Sequence, residues 1–588
     1  MSIVALNKVT VFGLQLNHEA ILEGLQQLGC LHLIPLQPRP EDSGFGASDR
    51  YEEARQALRH ILDVPRRRHQ VHDEAAFDLD EVVAAALANK QKQREVEDER
   101  LFLVNRLAKL APWGSFTLPD RNDLGGYRLW FYQVPHTKAQ QIQTVELPWQ
   151  IIGEDHLHVY VIVIAKEEPP VNSLPVPRTR AGSVSPESLK RQLEQVEIEL
   201  DEIRAEHEAL SRWIVLLSQN LACAEDQAAL QAARQQTKEQ DGIFMVQGWM
   251  PQRSLAQLEA FTREHTLAFL AEPPKPDETP PTLMENPPTL RGGQDLVSFY
   301  ETPGYRTWDP SIVVFFSFAV FFAVILADAG YALVLAVIVA YYWRRMGQSA
   351  AGKHFRVLAV MGLFLAVVYG ILVGSYFGVS PPDGAFLQRL QVLDLQDYSG
   401  MMRFAIIIGC LHLTFANAIV AYHASGFANK AQPLGWITII LGGFTLYLGW
   451  QHVGIGLLGG GFVVIFLGSF VSSQKHVLLR LVDGLGALTK ISSLFGDVMS
   501  YLRLFALGLA SASLALTFNQ LAEQVHQAVP GLGLVLSLLI LLLGHGINLV
   551  LAIVSGFVHG LRLNFIEFFN WGISGEGYPF HAFVKKEP

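Results

Sequence analysis

The sequence predicts a mainly α protein in two unlike halves. N-terminal cytoplasmic α/β lobes are joined by a long antiparallel coiled coil, and an eight-span helical membrane domain follows, closing on two long C-terminal helices. Three observations predict this. Residues 1 to about 295 have the charged composition of a soluble chain, whereas 311 to about 570 run as a series of apolar segments long enough to cross a bilayer. Glu52–Ala111 and Ser185–Glu239 are rich in Ala, Leu, Glu, Gln and Arg, the composition of long helices. Between Ile491 and Asn570 the only basic side chains besides histidine are Arg503 and Arg562, each inside an apolar segment.

The elements follow in order. Lys8–Leu14 alternates as a strand, His18–Leu28 has the period of an amphipathic helix, and Cys30–Leu36 returns as a strand, so 1–46 reads as the first part of a proximal α/β lobe. The first coiled-coil helix is 47–112, broken or kinked at Pro65. Tyr127–Gln133 and His156–Ile164 read as strands of a distal lobe, 113–184. The returning helix is 185–239, with Leu189, Leu193, Val196, Leu200, Ile203 and Leu210 stepping by four and three in a heptad seam interrupted at His207. Phe244–Trp249 and Ala268–Leu270 complete the proximal lobe over 240–272, and 273–308 reads as a Pro-rich linker, with Glu272–Pro288 not expected to form helix or sheet.

The membrane domain is 309–588. Ser311–Tyr342 is long for one span, and the cations after it, Arg344, Arg345, Lys353 and Arg356, belong on the cytoplasmic side, so the segment is expected to cross twice, breaking near Asp328-Ala329-Gly330. The other spans are expected at about 357–377, 403–424, 433–449, 453–471, 490–525 and 532–570. Lys430, Lys475, Arg480, Lys585 and Lys586 then fall inside, and the acidic loop Asp383–Asp397 outside. Met1–Leu16 lacks the basic start and apolar core of a signal peptide, which places the soluble half and the C-terminus in the cytoplasm. Cys30, Cys223 and Cys410 have neither metal nor disulfide spacing, as suits a reducing compartment, and a net charge of −10 argues against nucleic acid as partner. No cofactor or metal site is implied, and there is no Gly-x-x-x-x-Gly-Lys-Ser/Thr loop for a nucleotide.

A guanidinium in mid-membrane costs at least ~2.5–3.5 kcal/mol and keeps its charge, so it persists where an anion or water meets it. A single such arginine is as readily a snorkelling or helix-pinning group. Two in the last pair of spans, each among other polar groups, point to an ion pathway. His545, Asn548, Ser555, His559 and Arg562 lie within about a third of one helix circumference, a polar stripe that must face water or another polar stripe. On the preceding helix Asp497, Ser500 and Arg503 form a polar edge, continued by the small residues Ala506, Ala510 and Ser513, where another helix could come close. Asp328, His412 and His423 are more readily structural.

These segments carry a resemblance. Phe495-Gly496-Asp497-Val498-Met499-Ser500-Tyr501-Leu502-Arg503-Leu504-Phe505-Ala506-Leu507-Gly508-Leu509-Ala510 resembles the signature of the membrane stator subunit of V-type and A-type rotary ATPases, subunit I of bacteria and archaea and subunit a of eukaryotes. Phe557-Val558-His559-Gly560-Leu561-Arg562-Leu563-Asn564-Phe565-Ile566-Glu567-Phe568 is similar to the family's second arginine motif. Gly544-His545-Gly546-Ile547-Asn548, the run Tyr369–Gly378 and Asp309-Pro310 also match. The chain departs from the family pattern at Ala327-Asp328-Ala329-Gly330-Tyr331-Ala332, where Gly-Asp-x-Gly-Tyr-Gly is usual, and at Lys490, often Glu.

The resemblance implies a subunit without its own ATP-hydrolysing site that forms two ion half-channels against a rotor ring of small carboxylate-bearing membrane subunits. Arg503 would meet the ring carboxylate, Arg562 would share that role, and Glu567, His545 and His559 would line the path or relay protons. It further implies peripheral-stalk partners, ATP-hydrolysing head subunits and the central-stalk collar subunit reached through the complex, surrounding membrane lipid, and a multi-pass place in a bacterial plasma membrane. The rival expectations are a secondary transporter or channel with a regulatory soluble domain, and a membrane-anchored coiled-coil scaffold.

Overall fold

The structure, a computed structural model, describes residues 2–37, 45–114, 125–170, 174–179, 185–382, 384–395, 397–472, 477–573 and 575–586. Lys475 and Asp383, both used in the topology argument, lie outside them. The strands are β1 (Leu6–Leu14), β2 (His32–Ile34), β3 (Arg128–Pro135), β4 (Trp149–Glu154), β5 (His158–Ala165), β6 (Lys238–Gln240), β7 (Ile243–Pro251) and β8 (Ala268–Glu272). The chain divides into two compact units, one of Met1–Gly13, Cys30–Ile34 and Gln247–Ala582, the other of Leu14–Gly29, Pro35–Val246 and Phe583–Pro588. This division cuts through the proximal lobe expected at 1–46 and 240–272.

The second of these units is mostly helical. Helix α1 (His18–Leu28) buries Ile21, Leu22 and Leu25 on one face and ends at Gly29, whose left-handed φ of 63° lets its N–H reach the Leu25 carbonyl. The first long helix is interrupted more deeply than a kink at Pro65. It forms α2 (Phe45–Leu62) and α3 (Leu79–Leu110), and the Asp78 carboxylate caps α3 by accepting from the Asp80 and Glu81 N–H groups at 3.0 and 3.1 Å. The returning helix, expected to run unbroken to 239, is α4 (Pro186–Leu210) and α5 (Ile214–Gln236) with a 3-10 turn at Ser211–Trp213 between them. There the Ser211 hydroxyl donates to the Glu208 carbonyl at 2.6 Å and accepts from the Arg68 N–H at 2.8 Å, competing with the helix ladder.

Val96, Leu103 and Leu110 of α3, seven residues apart, form one cluster with Leu189, Leu193, Val196, Leu200 and Ile203 of α4. Past Ile203 the pairing changes, and Ala57, Ile61, Ala86, Leu216 and Leu217 join α2, α3 and α5 in a second cluster. A buried polar layer marks the change. Asn89 donates to the Ile203 carbonyl at 3.0 Å and to Glu206 at 2.9 Å, and its amide oxygen faces His60 Nε2 at 3.1 Å. The His60 ring stacks on His207 at 4.0 Å. The remaining lobe is an antiparallel sheet in the order β3-β5-β4. β4 escapes a sequence reading because Ile151 and Ile152, at the bulge of this edge strand, are both exposed, so it lacks alternation.

In the first unit the strand order is β2-β7-β1-β8, with Val9 opposite Ala271 and Leu33 opposite Gly248, both antiparallel. Helix α6 (Leu255–Glu264) connects β7 to β8. The stretch expected as a free linker is tied down, because isolated bridges join Met284 to Ile3, Thr282 to Pro579 and Pro303 to Glu576. It also contains helix α7 (Arg291–Tyr300), which buries Gly292, Gly293 and Val297.

The apolar helices are α8 (Ser311–Leu326), α9 (Ala329–Met346), α10 (Ala350–Val373), α11 (Tyr398–His423), α12 (Phe427–Tyr447), α13 (Gln451–Ser472), α14 (Val477–Leu488), α15 (Ile491–Ser500), α16 (Leu502–Ala528), α17 (Gly533–Arg562) and α18 (Phe569–Gly572), with a π-helical turn at Leu563–Phe568 before the last. Five stretches among the described residues are long and apolar enough to cross a membrane: Ala350–Val373, Tyr398–His423, Gln451–Val471, Gly484–Ala528 and Gly533–Gly572. The eight-span expectation needs α8, α9 and α12 to cross as well. α8 is only 16 residues, or ~24 Å against a core of ~30 Å.

The chain does reverse where the sequence places a break. Gly370 of α10 lies against Asp328 and Ala329, Gly362 against Phe322, and Leu358 clusters with Phe315 and Phe318, so α10 runs in the same direction as α8. Arg356 meanwhile stacks on Trp343, so α9 runs opposite to both. The turn is Ala327, at φ 48°, followed by Asp328, whose carboxylate caps α9 through the Tyr331 N–H at 3.0 Å. Its other oxygen accepts from the Ser375 hydroxyl at 2.7 Å and the Gly378 N–H at 2.9 Å, so Asp328 serves as a structural tie.

Candidate functional site

The polar groups of the last helices separate into two clusters along α17. The first surrounds Glu567. From Arg562 an ordinary α-helix would place a residue five positions on about 140° away around the axis. The π-turn Leu563–Phe568, bonded i to i+5, brings Glu567 back beside Arg562. Glu567 Oε1 lies 3.7 Å from Arg562 Nε and 3.8 Å from Arg503 Nη1. Its side chain is 2% exposed, against 24% for Arg503 and 49% for Arg562. Ser500 lies beside the carboxylate, while Oε2, Arg503 Nη1 and His559 Nδ1 are buried without a well-formed hydrogen bond. These separations exceed a direct hydrogen bond, so the charges are in ion-pair contact and leave hydrogen-bonding capacity unused. With Glu567 ionised, the cluster carries one positive charge that it does not compensate.

Arg503 reaches this point because the span expected at 490–525 is not one continuous helix. α15 gives way to α16 at Tyr501, where Tyr501 bonds the Val498 carbonyl and Leu504 bonds the Tyr501 carbonyl, both i to i+3. Tyr501 is fully buried, and its hydroxyl meets His412 Nδ1 at 2.8 Å. His412 in turn stacks on Phe568 at 4.3 Å. A Cβ at Gly409 would come within 2.7 Å of the Tyr501 ring, so α11 closes on the break only through a glycine. Asp497 takes its hydrogen-bond partners from elsewhere than Arg503. It accepts from Trp571 Nε1 at 2.7 Å, and Asn570 and Ser493 approach it at 3.4 and 3.5 Å.

The second cluster lies toward the other end of α17. Asn548 is 1% exposed and donates to the Tyr331 hydroxyl at 3.0 Å and the Ser511 carbonyl at 2.8 Å. His545 Nδ1 meets the same hydroxyl at 2.7 Å, and its Nε2 meets Asn519 Oδ1 at 3.0 Å. Thus the stripe of His545, Asn548, Ser555, His559 and Arg562 is divided. His545 and Asn548 are satisfied within the protein, His559 and Arg562 join Glu567, and Ser555 between them is half-buried. Ala506, Ala510 and Ser513 of α16 are exposed, leaving an edge of small side chains that starts near Arg503.

Sequence reasoning missed Tyr331, Tyr501, Asn519, Ser511 and Trp571 as members of these clusters. Tyr331 and Tyr501 lie inside the motifs that carry the resemblance, but nothing local says that a tyrosine hydroxyl there is enclosed.

Residues 185–379 match the model of the V-type ATPase 116kDa subunit family. The V-type ATP synthase subunit I of Chlamydia pneumoniae is 29% identical over 58% of this chain and 61% of its own length. The A-type ATP synthase subunit I of Methanocaldococcus jannaschii is 26% identical over 66% of this chain and 63% of its own. The chain thus spans a little under two thirds of these two relatives. The V-type ATP synthase subunit I 1 of Treponema pallidum is 27% identical over 97% of both chains. A crystal structure of the cytoplasmic N-terminal domain of subunit I, homolog of subunit a, of V-ATPase covers 45% of this chain and 99% of its own at 16% identity, with a TM-score of 0.21 too low to carry an argument. By the family model over residues 185–379 and by these relatives, the chain is similar to V-type and A-type ATP synthase subunit I proteins.

Proposed function

We propose that the chain is the membrane stator subunit of a V/A-type rotary ATPase, itself without a nucleotide site. In this reading eight spans form two offset ion half-channels against a rotor ring of small subunits, each bearing one carboxylate. The observation that carries it is the uncompensated charge of the Arg503–Glu567–Arg562 cluster, beside an exposed edge of small residues. A fixed cation among apolar helices calls for a further anion, and the small edge gives a partner helix the close approach that contact needs.

A ring carboxylate arriving at Arg503 would be favoured in its ionised form and would release its ion. The permanent charge would also block a direct leak between half-channels. The cluster at His545, Asn548 and Tyr331 and the cluster at Glu567 and His559 are ~21 Å apart along α17, measured from His545 to His559 at 1.5 Å per residue. They supply polar groups to opposite halves of the path. Each charge moved is worth ~2.3 kcal/mol per 100 mV. The helix pair α3–α4 is read as a coiled-coil strut that binds peripheral stalks and holds the subunit still against the resulting torque.

Gentle purification of the tagged chain in mild detergent tests this reading. ATPase head subunits, the collar subunit, stalk subunits and a ring of small membrane proteins should come with it. Recovery of the chain alone, or with unrelated partners, would favour a transporter, a channel or a scaffold instead.

A further inference from the structure

We propose that the α9–α10 connection binds the headgroup of an anionic phospholipid. It carries four cations, Arg344, Arg345, Lys353 and Arg356, and no acidic residue occurs between Asp328 and Asp383. The one carboxylate seen close by, Asp295, pairs with His354 at 2.8 Å, and none of the four cations forms an ion pair among the described residues. Cations at a helix C-terminus and beside a span are common, because they offset the helix dipole and set orientation. That accounts for Arg344 and Arg345, but not for the way Arg356 is held.

The Arg356 guanidinium lies over the Trp343 ring, 4.6 Å from its centroid, and Nη1 donates to the Trp343 carbonyl at 3.4 Å. It packs on Gly347 so closely that a Cβ there would come within 2.6 Å of Nη1. Its Nε is buried with no acceptor. A planar cation is therefore fixed in advance across the turn while only half-buried, as suits a phosphate.

The surroundings name the source of that phosphate. α10 is one of the stretches able to span a bilayer and starts at Ala350, so the turn lies at a lipid–water boundary. Tyr341, Tyr342, Trp343 and Phe355 are exposed around it, the aromatic belt against which headgroups and upper acyl chains rest. An anionic phosphodiester held in the membrane fits both the charge and the belt. A zwitterionic lipid would bring a cation to a site whose nearby carboxylate, Asp295, is already paired with His354.

The test uses the full chain in nanodiscs of phosphatidylcholine with or without phosphatidylglycerol, re-extracted in neutral detergent, with retained lipid counted by native mass spectrometry. Wild type should retain phosphatidylglycerol over phosphatidylcholine, with occupancy falling about fivefold for each cation removed in Arg344→Gln, Arg345→Gln and Arg356→Gln. Arg356→Lys, which keeps charge but loses the planar stack, should fall between wild type and Arg356→Gln. Should Arg356→Gln fail to fold, the exposed pair Arg344→Gln with Arg345→Gln gives the same readout. Equal retention by wild type and the variants overturns the proposal, as does equal retention of the two lipids. Displacement of the lipid by inorganic phosphate overturns it too, by identifying a free-phosphate site.

Discussion

Replacing Glu567 with Gln keeps the side-chain volume and removes the one negative charge that two guanidiniums share. The carboxylate oxygen is 3.8 Å from Arg503 and 3.7 Å from Arg562. At an effective dielectric near 20, unit charges ~4 Å apart attract by ~4 kcal/mol. Arg562 is 49% exposed, so its share falls to about 1 kcal/mol or less, as for a surface pair. Arg503 is 24% exposed and keeps the larger part. The variant escapes the carboxylate's desolvation cost but strands two like charges, and breaking a buried pair by removing one partner costs about 3–5 kcal/mol. The stranded charges win, and Glu567→Gln should lose about 3 kcal/mol of stability. The assay is unfolding in mixed micelles of Glu567→Gln, Arg503→Gln and the double variant. The double variant should be less destabilised than the sum of the singles by about 2 kcal/mol. Additivity within about 0.5 kcal/mol would refute the pairing.

Arg503→Ala and Arg503→Lys should each abolish ATP-driven ion uptake into vesicles while the complex still assembles, and normal uptake by Arg503→Ala would defeat the proposed function. Leu193→Asp with Leu200→Asp places two charges in the α3–α4 seam and should cost several kcal/mol in the second compact unit, and under the proposed function should lose stalk partners from the purified complex. Retention of full coupling by that variant would argue against a strut. Burial holds the His60 pKa below the ordinary 6.5, opposed by its hydrogen bond to Asn89 and reinforced by the adjacent His207. Because the unfolded chain then binds protons that the folded chain refuses, stability is full above about pH 6.5 and is lost as pH falls below it. Hydrogen exchange in α2, corrected for intrinsic rate, should therefore speed up between neutral pH and about pH 5.5, and less so in His60→Gln. Ala327 adopts φ 48°, which costs a non-glycine residue roughly 1–2 kcal/mol, partly offset by the greater freedom of glycine in the unfolded chain. Ala327→Gly should thus stabilise by about 0.5 kcal/mol in the same micelle unfolding assay, and a clear loss would show that the methyl group's packing outweighs the strain.

Local chemistry made much of this protein legible in its sequence. α1 was readable to the residue because its apolar period and the glycine that ends it act within one turn. The break at Pro65 was readable because proline lacks a donor, and the one near Asp328 because its segment is long for one span and the cations after it favour the inner side. The two arginines were identifiable as unusual because charge in an apolar span is costly wherever the chain goes. The sequence, however, gave no sign that the helix would break at Tyr501, since Ser500-Tyr501-Leu502-Arg503 is compatible with helix. That break accompanies His412 and Gly409 of α11, nearly ninety residues earlier. Nor could the α-helical period show Arg562 and Glu567 side by side, because residues five apart meet only in a π-turn. The polar stripe of α17 was visible as a stripe, but which part would be dry depended on whether Tyr331, from a distant helix, arrived to occupy it. Composition and period decide which groups a helix carries on each face. Only the packing of helices far apart in sequence decides whether those groups meet a partner, and that determined which charge stayed uncompensated.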